Sequence, residues 1–196
     1  MNVYFLKSNL KQYQIEPIPS NLADFVETEM DYSDLDRLQM IKYQGEFILV
    51  KKQPSELHIW NGKEWIIDSE TLAKLKAEQQ AQMWEKIKQR RYDNGLRGVY
   101  VARVDKWFQT GEEEKTKYLG LDKVIDKLGK IQWKTYDNSF VELDRTLLDE
   151  IFLQMVVTEN ADHINAEKHR MAMMSVENPL EYDYSSGWAE IYEEGK

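Results

Sequence analysis

"DSETLAKLKAEQQAQMWEKIKQRRY", residues 68 to 92, contains no glycine or proline and is dominated by Ala, Leu, Lys, Glu and Gln, the residues that lose least on entering a helix. A long helix is predicted from Asp68 to about Tyr92, and it decides the fold by dividing the chain into an N-terminal and a C-terminal part. Ala73, Ala77, Trp84 and Ile87 lie close to one stripe, but Gln80 and Arg91 interrupt it. The pattern suits a connector packed on one side rather than a sustained heptad seam.

Ahead of this helix the chain reads as short strands. "NVYFL" and "YQI" are β-prone, and Pro17 and Pro19 break regular structure. In "SDLDRLQMIKY", Leu35, Leu38 and Ile41 recur at helical spacing after Ser33, a candidate N-cap, and Gly45 is read as the stop. "EFILVKK" and "LHIW" follow as strands. In "HIWNGKEWII", Asn61-Gly62 suits a two-residue type I′ turn, which places His58 opposite Trp65 as a half-buried cross-strand pair.

Beyond it, "GVYVARVDKWFQT" predicts a hairpin around Val104-Asp105, and Thr110 with Glu113 predicts a capping box opening a helix to about Leu128. Glu112, Glu113 and Glu114 then fall in the first turn, where free N–H groups favour negative charge. Consecutive carboxylates point in different directions around a helix, so the run is read as a helix start and not as a cation site. Gly129 ends this helix. "IQWKTYDNSFVEL" gives a second hairpin around Asp137-Asn138, and Asp144 or Thr146 caps a helical region reaching about Ser175. There Leu148, Ile151, Phe152 and Met155 share one face while Ala161, Ile164 and Met171 follow another track, which predicts a break or kink near Asn160. Trp107 and Trp133, each in a predicted strand, are expected to be structural. The fold class is α+β: a small β-rich domain at 1–67, a connecting helix at 68–93, and an α+β domain of hairpins and helices at 94–196.

Composition narrows the function. In 196 residues, 42% hydrophobic and 12% aromatic content describes a folded protein, and a net charge of −9 opposes nucleic-acid or anionic-membrane binding. With no cysteine, disulfides, thiolate catalysis and Cys-ligated metal are excluded. The N-terminal stretch has no secretory pattern, and no apolar run approaches the ~20 residues of a membrane span. In "ENADHINAEKH", Glu159, His163 and Glu167 share a helix side, yet the two-histidine metallohydrolase pattern is absent. No nucleophile elbow or phosphate loop occurs. "KIKQRR" at 86–91 is the one notable basic run, and it reads as the solvated face of a helix. The expectation is a non-enzyme with no cofactor, no metal and a protein partner; homo-oligomerisation is left open. The aromatic C-terminal segment with Tyr182, Tyr184 and Trp188 is the candidate contact surface.

The ordered set Trp84 and Ile87, Trp107-Phe108, Tyr118-Leu119-Gly120, Gln132-Trp133-Lys134-Thr135, His169-Arg170 and Gly187-Trp188 resembles the DUF4376 domain, found in phage and prophage tail-fibre and tail-fibre-assembly proteins. The first part, with "YSDLDRLQMIKYQGEFI" and "WNGKEWIIDSETLAKLKAEQQ" in order, is similar to the N-terminal region of tail-fibre assembly chaperones. The resemblance implies a helper in the host cytoplasm that binds the distal part of a trimeric tail fibre during folding, with some members staying on the virion. It brings no catalytic residues. The alternative is a permanent structural component of the fibre or tail tip.

Overall fold

The computed structural model describes residues 1–194, which form two compact units, Met1–Lys74 and the chain from Leu75 onward. The first unit opens with β1 (Asn2–Leu6), β2 (Asn9–Gln14) and β3 (Phe25–Glu29), an antiparallel sheet in the order β2-β1-β3. A short helix α1 (Tyr32–Arg37) leads into the hairpin of β4 (Leu38–Tyr43) and β5 (Glu46–Lys51), and β6 (Ile59–Trp60) pairs with β7 (Trp65–Ile66). Val3, Phe5, Met30 and Met40 form its small core.

Two expectations are corrected in this unit. The predicted helix over 33–43 stops at Arg37, capped by Asp31 through a reciprocal box with Asp34 and not by Ser33, and Leu38 to Tyr43 is strand. Helical and strand spacing are both compatible with Leu38 and Met40. The strand wins because β5 supplies a partner for every residue, including Ile41 opposite Ile48, and because Gln44 and Gly45, at φ 50° and 90°, make the tight turn that joins them. Gly45 is thus a hairpin turn and not a helix stop. In the next hairpin the loop has four residues, not two. Asn61 Oδ1 accepts from the amides of Lys63 and Glu64, so Trp60 faces Trp65 and His58 falls outside the pairing, 2.8 Å from Ser55 Oγ.

The second unit is built around two long helices, the first of which starts before Lys74 in the first unit. α2 (Ser69–Gly95) begins at Asp68, whose carboxylate accepts from the Thr71 amide at 2.8 Å, and buries Met83, Ile87 and Asn94. The hairpin β8 (Val99–Val101) and β9 (Lys106–Phe108) precedes α3 (Glu112–Asp122) and α4 (Ile125–Leu128). The hairpin β10 (Lys130–Lys134) and β11 (Phe140–Asp144) then feeds α5 (Arg145–Met174). Asp105 and Asn138 take the positive φ of the two hairpin turns, where a short polar side chain tolerates that conformation. The capping box at Thr110 does not form, because the buried hydroxyl is committed elsewhere: it donates to Gly95 O and accepts from the Gly98 amide, joining the end of α2 to β8. Gly111 is the N-cap of α3, the three glutamates occupy its first turn, and Glu113 pairs with Lys117 at 2.6 Å.

Asp144 caps α5 through the Leu147 amide, and the helix runs unbroken through Asn160, so the predicted break is overturned. The change of apolar phase is nonetheless real, since the inner face continues as Asp162, Ala166, His169 and Met173. A continuous helix can change its neighbours along its length. Val99, Val101, Phe108, Tyr118, Leu121, Ile125, Leu143, Leu147, Leu148, Ile151 and Met155 make the main core. Trp133 packs half-buried against it, with its ring 5.0 Å from that of Tyr118. Trp107 is also half-buried and meets Tyr100 at a tilt and Tyr192 edge-on, apart from that core. The architecture is α+β.

Candidate functional site

After α5 the chain turns at Pro179–Glu181 and runs back as an extended strap along α2 and α5. Three polar anchors hold it. Asp162, buried on the inner face of α5, accepts from Asn94 Nδ2 of α2 at 2.6 Å and from the Ala189 amide of the strap at 2.7 Å. Asn94 Nδ2 also reaches Ala189 O at 3.1 Å, so one carboxylate and one amide tie three segments together. A buried carboxylate is tolerated only when its oxygens are bonded in this way.

His169, two turns on, is the second anchor. Its Nε2 donates to Ser186 O at 2.9 Å, its Nδ1 meets Tyr182 Oη at 2.8 Å, and its ring stacks on Trp188 with centroids 5.7 Å apart. The third is a turn at Gly187, whose φ of 79° suits glycine, and where a Cβ would lie 2.5 Å from Asn165 Oδ1. Asn165 Nδ2 donates to Ser186 O, and Trp188 Nε1 donates to Tyr184 O at 2.7 Å. Asp183 accepts from the Ser185 amide, which holds its carboxyl below the ordinary value.

The sequence-selected Tyr182, Tyr184 and Trp188 are thereby brought together, each half-buried, with Trp84 against Met83, Ile87, Ala166 and Met173. Each contributes one face to its own unit and retains exposed surface. Further along, the strap's Tyr192 bonds Arg97 O through its amide and stacks on Tyr136 at 4.1 Å.

Arg90 is the residue that sequence reasoning missed. It sits half-buried on α2 and, among the described residues, its guanidinium makes no hydrogen bond or ion pair. Two grooves open on it. One, of about 440 Å³, is lined by Trp107, Trp188 and Ile191 together with Glu190 and Glu193. The other, of about 390 Å³, is walled by Tyr182 and Tyr184, with Asp183 and Ser185. In the same basic run Lys88 pairs with Glu85 and lies over the Trp84 ring, which Arg170 covers too, and Arg91 lines a different pocket. Uncommitted guanidinium and aromatic walls together can take a carboxylate and the apolar groups beside it.

The residues weighed for metal binding are not assembled into a site. Glu159 pairs with Lys115 at 2.8 Å, Glu167 pairs with Arg170, and His163 is exposed. Among the described residues no group of three or more His, Cys, Asp or Glu is placed to hold a metal ion, and no helix is long and apolar enough to cross a membrane.

Arg90, Asn94, Asp162, His169, Tyr182 and Tyr184 lie within a recognised family domain, and the strap from Gly187 onward follows it. The model of the Domain of unknown function DUF4376 matches residues 78–186, and the chain belongs to that family. The match begins inside α2, so the family domain includes most of the connecting helix. This agrees with the resemblance entering at Trp84 and Ile87, and α2 supplies Met83, Ile87 and Asn94 to the packing of the second unit. The chain is also similar to the "Uncharacterized 23.3 kDa protein in lys 3'region" of Haemophilus phage HP1, with 54% identity over 79 residues. That match spans 40% of each chain, and it relates the protein to one from a bacteriophage. No solved structure matches the chain.

Proposed function

We propose that the protein is a phage tail-fibre assembly chaperone, a non-enzymatic helper that holds part of a trimeric fibre in the host cytoplasm until the fibre is assembled. The observation that carries the reading is the strap with its two aromatic grooves on either side of the uncommitted Arg90. DUF4376 membership and the similarity to a phage protein support it. Fibres rich in non-local strand pairing fold slowly and expose unpaired edges, and a partner covering such surface suppresses aggregation. An extended fibre segment with a carboxylate between apolar residues would set the carboxylate on Arg90 and its neighbours on Trp107, Trp188 and Tyr184.

The test is co-expression with a tail fibre encoded close to this protein, without added nucleotide or metal. The expected result is a higher yield of soluble trimeric fibre and co-purification, both lost in Arg90→Glu while that variant melts like the parent. Equal soluble fibre with and without the protein, and no co-purification, would refute the chaperone reading. Co-purification that persists in finished particles would favour a permanent fibre component instead.

A further inference from the structure

α5 is apolar on two opposite sides, and its own unit covers only one of them. The inner side carries Leu148, Ile151, Met155, Ala166 and Met173. At 100° per residue, the opposite sector between 153 and 174 holds Leu153, Val156, Val157, Asn160, Ile164, Glu167, Met171 and Met174, of which six are apolar. Leaving out Asn160 and Glu167, those six are in order 58%, 65%, 53%, 50%, 73% and 50% exposed. An apolar surface of this length on a helix that is already seated calls for a second neighbour.

We infer that this face pairs with the same face of a second copy, the two α5 helices lying antiparallel. Two observations and a symmetry argument select that occupant. Val157, Ile164 and Met171 recur every seven residues, as do Leu153, Asn160, Glu167 and Met174, so the stripe follows the seam that two supercoiled helices share. The exposed area of the six side chains comes to roughly 600 Å² per copy, which doubled reaches the lower end of a specific interface. A two-fold pair uses one patch twice and needs no other complementary surface.

Charge then sets the direction. In a parallel pair Glu167 would face the partner's Glu167 across the seam, a like-charge contact. Antiparallel crossing near residue 162 sets Glu167 opposite Val157 of the second copy, Ile164 opposite Asn160, and Leu153 opposite Met171. This pairing uses a face distinct from the strap grooves and stands independently of the proposed fibre contact.

The test uses the full chain. Light scattering at increasing concentration should give twice the 23.3 kDa chain mass. Ile164→Lys and Met171→Lys should return it to one chain mass, with unchanged helical circular dichroism and melting temperature. Because the protein has no cysteine, single-cysteine variants report direction without background. With a short bismaleimide, Ile164→Cys should cross-link efficiently. Met174→Cys should not, since its two copies would be about 36 Å apart at 1.5 Å per residue. One chain mass at all concentrations, a dimer that survives both lysine substitutions, or cross-linking of Met174→Cys equal to that of Ile164→Cys would overturn the inference.

Discussion

The two halves of α5 are anchored by different physics. Leu147, Leu148, Ile151 and Met155 enter an aliphatic and aromatic core roofed by the two hairpins and α3, where burial is complete and no direction is imposed. Asp162 and His169, in the second half, hold the strap through bonds whose geometry is fixed: 2.7 Å to the Ala189 amide and 2.9 Å to Ser186 O. The first kind of contact supplies most of the stability and tolerates rearrangement. The second supplies little net energy but allows one path for the chain that lines the grooves.

The largest effect should come from the core half. Leu148 is fully buried, and Leu148→Ala should cost about 2–5 kcal/mol from lost transfer energy and the cavity left behind. Chemical denaturation should show this as a lower midpoint with the second unit affected as a whole. A loss no greater than that caused by removing the Asp162 anchor would break the comparison.

A smaller and more local effect is expected from Asp162→Ala, about 1–3 kcal/mol, because Asn94 and the Ala189 amide lose their acceptor. Here the informative measurement is limited proteolysis. Cleavage should appear within 183–192 while the core fragments stay intact, because the strap loses its central anchor but no aliphatic packing. Protection equal to the parent would show that the aromatic contacts alone hold the strap.

The smallest effect is pH-dependent and tests both regions with exposed groups. Asp137, in the turn between β10 and β11, is held well below the ordinary carboxylate value by Lys106, Thr135 and Ser139, and Asp183 of the strap is lowered by the Ser185 amide. A carboxyl that ionises more readily in the folded state stabilises that state above its unfolded value of 3.8, and the contribution fades as pH falls below it. The melting difference between the parent and Asp137→Asn or Asp183→Asn should therefore be present at pH 7 and shrink toward pH 2. A difference that grows on acidification would reverse the assigned direction.

What the sequence determined by itself is local. The absence of Gly and Pro from 69 to 92 dictated α2, Asp144 or Thr146 offered the start of α5, and Asp137-Asn138 dictated a hairpin, because each signal acts within a few residues through backbone propensity or capping. Composition also drew attention to Tyr182, Tyr184 and Trp188. What only the tertiary structure decided is which local option prevailed and what the aromatics met. Residues 38–43 fit helix and strand alike until β5 offered a complete ladder, and Thr110 fits a cap until Gly95 and Gly98 claimed its hydroxyl. The site depends on partners far apart in the chain: Asn94 lies 68 residues from Asp162 and 95 from Ala189. Arg90 could not be distinguished from the other cations of "KIKQRR", because which of them borders the two grooves is decided by where the strap packs, and that is a property of the packed unit rather than of any neighbour in sequence.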